Sequence, residues 1–96
     1  MKLKPILLLY FFAFGFAELK AQYVTIPDAN FAFWLNQNIP TAMNGSLMDT
    51  SNVGITGRLT VKLRNKNISS LEGIQYFKAL VHLDCDSNLL INLPSL

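Results

Sequence analysis

Leu59-Thr60-Val61-Lys62-Leu63-Arg64 returns 22 residues later as Val81-His82-Leu83-Asp84-Cys85-Asp86. Both stretches alternate apolar and polar residues, the pattern of a strand with one covered face and one wet face. The echo runs on: Val61, Leu63, Ile68, Leu71 and Ile74 are answered at the same offset by Leu83, Cys85, Leu90, Leu93 and Leu96. Apolar positions recurring at one fixed offset predict stacked units of about 20 to 29 residues that share a single interior. Val61, Leu63, Leu83 and Cys85 then point inward, and Thr60, Lys62, Arg64, His82, Asp84 and Asp86 point outward from neighbouring parallel strands. Between the strands, Ile68 to Leu80 carries apolar residues at intervals of three, which fits a loosely helical return segment.

Upstream of the repeats the pattern changes. Tyr23-Val24-Thr25-Ile26 alternates like a strand, and Pro27-Asp28 is a helix-start signal. Phe31, Trp34, Leu35 and Asn38 follow helical spacing, supported by Ala29, Ala32 and Phe33, until Pro40 stops it. One amphipathic helix over about 28–38 is expected, its aromatic stripe serving as a core or capping face rather than as a ligand platform. Thr41 to Thr56 is polar, with Leu47 and Met48 as its sizeable apolar pair before Val53 and Ile55. It reads as irregular structure with turns at Asn44-Gly45 and near Gly54 and Gly57. Asn44-Gly45-Ser46 and Asn67-Ile68-Ser69 match the glycosylation acceptor pattern, a frequency that chance supplies in an Asn- and Ser-rich chain.

The first residues have a different character. Lys2 and Lys4 precede the uncharged run Ile6 to Ala17, and small residues follow. A positive start, a short apolar middle and a small residue near the end read as a secretory signal peptide. Twelve residues make a helix of only about 18 Å, short of the roughly 30 Å hydrocarbon core, so no stable membrane span is expected after leader cleavage. Cleavage after Ala17 puts Gly15 at the small-residue position, and cleavage after Ala21 leaves a polar Gln22 start; both stay open. Export of this kind places the product in the periplasm, on the cell surface or outside the cell.

The formal net charge of +2 resides entirely in that leader. Beyond residue 21, Arg58, Lys62, Arg64, Lys66 and Lys78 stand against Asp28, Asp49, Glu72, Asp84 and Asp86. A balanced chain of this kind gives no support for a nucleic-acid partner. The single cysteine, Cys85, forms no internal disulfide. Stability must therefore come from stacking.

Leu80-x-x-Leu83-x-Cys85-x-x-Asn88-x-Leu90 resembles the leucine-rich repeat signature, with Asn88 at the position that bonds backbone groups in the turn, and Leu93-Pro94-Ser95-Leu96 is similar to the ending common in bacterial repeats. Ile26 to Phe31 and Leu71 to Phe77 look like the amino-terminal cap and first repeat of secreted leucine-rich repeat proteins of Bacteroidetes-type bacteria, distantly similar to internalin-like adhesins. The resemblance implies an α+β solenoid: a leader over 1–21, a cap over 22–58 with a helix and a polar connector, and about two parallel-strand rungs over 59–96. It departs from the pattern twice. Lys66 stands where the first rung would carry its Asn, and Ala42 and Asn52 stand where members often carry a cysteine pair.

Candidate chemistry is sparse. Lys62, Arg64 and Lys66 make a basic stripe, yet the 22-residue register sets Lys62 beside Asp84 and Arg64 beside Asp86, so the face pairs with itself. His82 has no second histidine to share a metal or a catalytic triad. Cys85 at an inward site reads as a small buried hydrophobe, and Asp84 with Asp86 lacks the dry pocket that acid-base work needs. No enzyme and no cofactor are implied. The expected task is binding of a protein or a surface glycan through Thr60, Lys62, Arg64, His82, Asp84 and Asp86. About three repeats usually make a self-sufficient core, and Leu96 is an inward site. The chain therefore reads as a truncated form of a longer repeat protein; the alternatives are self-association through Leu90, Leu93 and Leu96, or a marginally folded product.

Overall fold

The computed structural model describes residues 22–91 together with Leu93 and Pro94; the leader read at 1–21 and the inward site at Leu96 lie outside the described residues. The described chain is a small α+β domain. Strand β1 (Tyr23–Thr25) leads into helix α1 (Ala29–Asn38), a 3-10 turn (Pro40–Ala42), strands β2 (Met43–Asn44) and β3 (Leu47–Asp49) and the one-turn helix α2 (Val53–Thr56). Strand β4 (Thr60–Lys62), a 3-10 turn (Ile74–Tyr76) and strand β5 (His82–Asp84) follow.

Helix α1 forms where the apolar spacing places it. Phe31, Ala32, Trp34 and Leu35 are buried. Ala29 and Phe33, expected to support that stripe, face water instead, Phe33 at 66% exposure. They lie off the arc that a helix of this period can bury. Ile39 before Pro40 leaves helical geometry because the proline ring crowds its α conformation. Its N–H still closes the last turn on the Leu35 carbonyl at 2.7 Å.

The connector corrects the expectation of irregular structure over Thr41 to Thr56. β3 is the central strand of an antiparallel sheet in the order β1-β3-β2, with Val24 and Met43 both opposite Met48. Met48 is fully buried as a result. The hairpin turns at Gly45, whose φ of +62° favours glycine. Gly54 lies inside α2, capped by the Asn52 side chain, which accepts the Gly54 N–H at 2.8 Å. Asn52 Nδ2 also donates to the Thr41 carbonyl at 3.3 Å, so a hydrogen bond spans the region where the resemblance would put a cysteine pair.

β4 and β5 lie side by side and parallel, with Val61 opposite Leu83 and Lys62 opposite Asp84. The 22-residue offset is thus the register of the sheet. Val61, Leu63, Ile68, Leu71, Ile74 and Phe77 join Ile26, Phe31, Trp34, Leu35, Ile39, Met48 and Ile55 in one buried cluster. Full burial of each such side chain contributes about 1.5–3 kcal/mol. Leu83, Cys85 and Leu90 pack on this cluster but are only half-buried, and Leu93 is 53% exposed. That corrects the reading of Cys85 as buried and Leu93 as inward, because no third strand among the described residues covers β5. Arg58, 22 residues before Leu80, shows the opposite adjustment at the cap end. Its guanidinium lies 5.5 Å from the centroid of the Trp34 ring, and its Nε donates to the Thr60 carbonyl at 3.0 Å.

Asp28 ties the cap to the first repeat. Its Oδ1 accepts the N–H groups of Asn30 and Phe31, both at 2.9 Å, which caps α1. Its Oδ2 accepts the Ser69 N–H at 2.9 Å, the Ser69 hydroxyl at 3.0 Å and the Ser70 N–H at 3.2 Å. Burial works against the charge, but the hydrogen bonds from Phe31, Ser69 and Ser70 outweigh it and hold the carboxyl below its ordinary value of 3.8. Gly73 completes the junction: its φ is +113°, and a Cβ there would collide with Ile26 of the cap.

Two outcomes follow from this junction. A carboxyl with a lowered folded value stabilises the fold above its ordinary value, and that contribution disappears as pH falls through the folded value. Urea titrations of the wild type should therefore lose stability below about pH 4, and Asp28→Asn should cost about 3 kcal/mol at neutral pH and flatten that acid limb. An unchanged acid limb in Asp28→Asn would show that other carboxylates carry it. Gly73→Ala should cost about 1–3 kcal/mol through strain at positive φ and the clash with Ile26, read as a drop in the thermal midpoint.

Candidate functional site

Successive side chains of a strand point to opposite faces, so Thr60 and Lys62 share the outer face of β4, and His82 and Asp84 that of β5. The register aligns Thr60 with His82 and Lys62 with Asp84. Arg64 and Asp86 prolong the two rows. The Leu63 N–H donates to the Asp84 carbonyl at 2.7 Å, and the Asn65 N–H to the Asp86 carbonyl at 3.0 Å, so the ladder outlasts the regular strands. Lys62, Arg64, His82 and Asp86 are exposed, while Thr60 and Asp84 are half-buried. All six residues expected on this face are brought together on it. Lys62 and Asp84 stand on adjacent strands, about 4.8 Å apart in the direction of the ladder. The Asp84 carboxylate also accepts the Asp86 N–H at 3.2 Å, which orders the end of β5.

One side chain holds this face in register. Asn88 Oδ1 accepts the Lys66 N–H at 2.9 Å and the Ile68 N–H at 3.0 Å. Its Nδ2 donates to the carbonyls of Leu63 at 2.6 Å, Cys85 at 2.9 Å and Asp86 at 3.2 Å. Lys66 in place of an asparagine led to the expectation that the first turn lacks its side-chain support. The second turn's Asn88 reaches across and supplies it. The backbone repeats with the side chains: Asn65 has φ +57° and Ser87, 22 residues on, has φ +59°. Asn67 shares that left-handed conformation, and its carbonyl accepts from Asn30 Nδ2 of the cap at 2.8 Å.

Other candidate chemistry stays dispersed. No group of three or more His, Cys, Asp or Glu side chains converges on a metal-sized site among the described residues. No helix among the described residues is long and apolar enough to cross a membrane. A shallow, open cavity of about 220 Å³ lies on the return segment, lined by Ile74, Gln75, Phe77, Lys78 and Leu80. Gln75 is engaged within its own turn, accepting the Gly73 N–H at 2.8 Å and donating to Glu72 Oε2 at 2.7 Å. None of the strand-face residues reaches that cavity. The Ser69 hydroxyl of the Asn67-Ile68-Ser69 sequence is spent on Asp28.

Sequence reasoning missed two residues that shape the face from behind, Arg58 and Asn88 in its cross-strand role. Arg58 carried a findable signal, since a cation at an apolar position of the repeat calls for an aromatic partner. Comparison with family models, with curated proteins and with solved structures found no match.

Removing the Asn88 side chain strands donors in one turn and acceptors in another. Asn88→Ala should cost about 2–4 kcal/mol, and Asn88→Asp less, because the acceptor half survives. Chemical denaturation gives the order, and equal losses for Ala and Asp would place the contribution in the donor half alone.

Proposed function

We propose that this chain is an exported leucine-rich repeat module, a helical cap followed by about two rungs, that binds a protein or a surface glycan through its strand face. The observation that carries the reading is the in-register parallel pairing of Val61 with Leu83, which sets Thr60, Lys62, Arg64, His82, Asp84 and Asp86 on one accessible surface. Three further features support it: the left-handed positions at Asn65 and Ser87, the Asn88 network between the turns, and the cap that closes one end of the interior. Export rests on the leader-like composition of residues 1–21. Mixed charge on a rigid sheet suits directional polar recognition, since cations, carboxylates, an imidazole and a hydroxyl lie within two strands. It is a surface for contact and not for turnover.

A second reading keeps the same architecture without an independent ligand. In it the chain is a structural or self-associating piece of a longer repeat protein. The half-buried Leu83, Cys85 and Leu90 favour this reading, because a repeat interior open on one side is completed by another layer.

The test is a binding screen against immobilised glycans and purified extracellular proteins, followed by Lys62→Glu and Asp84→Lys. Each reversal should weaken capture about tenfold, equivalent to ~1.4 kcal/mol, while the circular dichroism spectrum stays unchanged. A ligand whose capture ignores both reversals binds elsewhere, and the strand-face reading is then wrong.

A further inference from the structure

We propose that two copies of this chain associate through their β5 edges, as antiparallel neighbours related by a two-fold axis at Leu83. The proposal does not depend on what the strand face binds; it concerns how many strands that face contains.

The edge is self-complementary in its backbone. The His82 N–H donates to the Leu59 carbonyl at 3.1 Å, and the Asp84 carbonyl accepts from Leu63 at 2.7 Å, so both residues turn their bonding groups toward β4. Parallel pairing engages alternate residues, and Leu83 between them therefore turns its N–H and C=O to the opposite edge. β5 has no second neighbour among the described residues. A two-fold at Leu83 makes it a hydrogen-bonded antiparallel pair with Leu83 of the second copy, two N–H···O=C bonds closing reciprocally.

Side chains agree with that geometry on both faces. Residues opposite one another in an antiparallel pair share a face, so His82 of one copy meets Asp84 of the other, twice. Each outer row then reads Lys62, Asp84, His82, Thr60 across four strands, with cationic or proton-bearing groups flanking each carboxylate. On the inner face Leu83 meets Leu83, and Val81 meets Cys85. Val81 is 80% exposed in the single chain, and Leu83 and Cys85 are half-buried. The β4 edge offers no comparable partner, since Arg58 Nε occupies the Thr60 carbonyl and the cap side of Val61 and Leu63 is fully covered. Head-to-tail stacking is thereby disfavoured and the symmetric contact remains. The result is one four-stranded surface carrying two sets of the strand-face residues.

Sedimentation of the full chain should give a concentration-dependent dimer. His82→Asp leaves the neutral Thr60 as its neighbour within the chain but sets carboxylate against carboxylate at both ends of the junction; it should weaken dimerisation about tenfold. His82→Lys should preserve or tighten it. In a Cys85→Ser background, Leu83→Cys should give a disulfide-linked dimer on mild oxidation, because Cα atoms of such a pair lie about 5.5 Å apart. Gln37→Cys on the cap helix, in the same background, should not. A monomer at all concentrations, or an oligomer indifferent to the sign of charge at position 82, would overturn the proposal.

Discussion

A single carboxylate joins the two halves of this molecule. Asp28 takes five hydrogen bonds, two from the start of α1 and three from Ser69 and Ser70, residues some 40 positions later in the chain. A buried anion is tolerated only when its lone pairs are matched, and here matching them requires the helix start and the return segment to meet at one point. Helix capping and cap-to-repeat docking are therefore one event. The neighbouring Gly73, without a side chain, lets Ile26 close over the same junction.

Burial grades away from that junction. The cap and the first repeat share a single interior in which Phe31, Leu35, Met48, Val61, Leu63 and Ile68 are wholly covered. One layer further, Leu83, Cys85 and Leu90 touch the same cluster yet keep part of their surface in water. Local stability follows covered apolar area and protected hydrogen bonds, so β5 belongs to the softer end of the structure. The Asn88 network offsets part of that difference. It ties the second turn back to Leu63, Lys66 and Ile68, all in or beside the well-packed first repeat.

Function, on the reading given above, lives on the strand face because the strands are the rigid part of the repeat and their outward residues are committed to no core contact. Parallel register converts a sequence alternation into two aligned rows, Thr60 with His82 and Lys62 with Asp84. Such rows present charge at fixed spacing with little ordering entropy left to lose on contact. The same register exposes a strand edge, and a repeat with one open edge has to be completed or defended.

Local periodicity carried a good deal of this. The recurrence of Val61 and Leu63 as Leu83 and Cys85 announced two parallel strands and their register, the spacing of Phe31, Trp34 and Leu35 announced α1, and Pro40 announced its end. Each is a pattern within one segment, or a copy of that pattern, and needs no knowledge of distant neighbours. The β2–β3 hairpin was not legible, because Met48 is the one buried residue of β3 and its strand exists only by pairing with β1 and β2 on either side. Arg58 over Trp34, Asn88 serving the first turn, and the second oxygen of Asp28 were equally hidden. These depend on which groups the packed chain brings within about 3 Å of one another, or for a cation over a ring about 6 Å, and only the three-dimensional arrangement sets that.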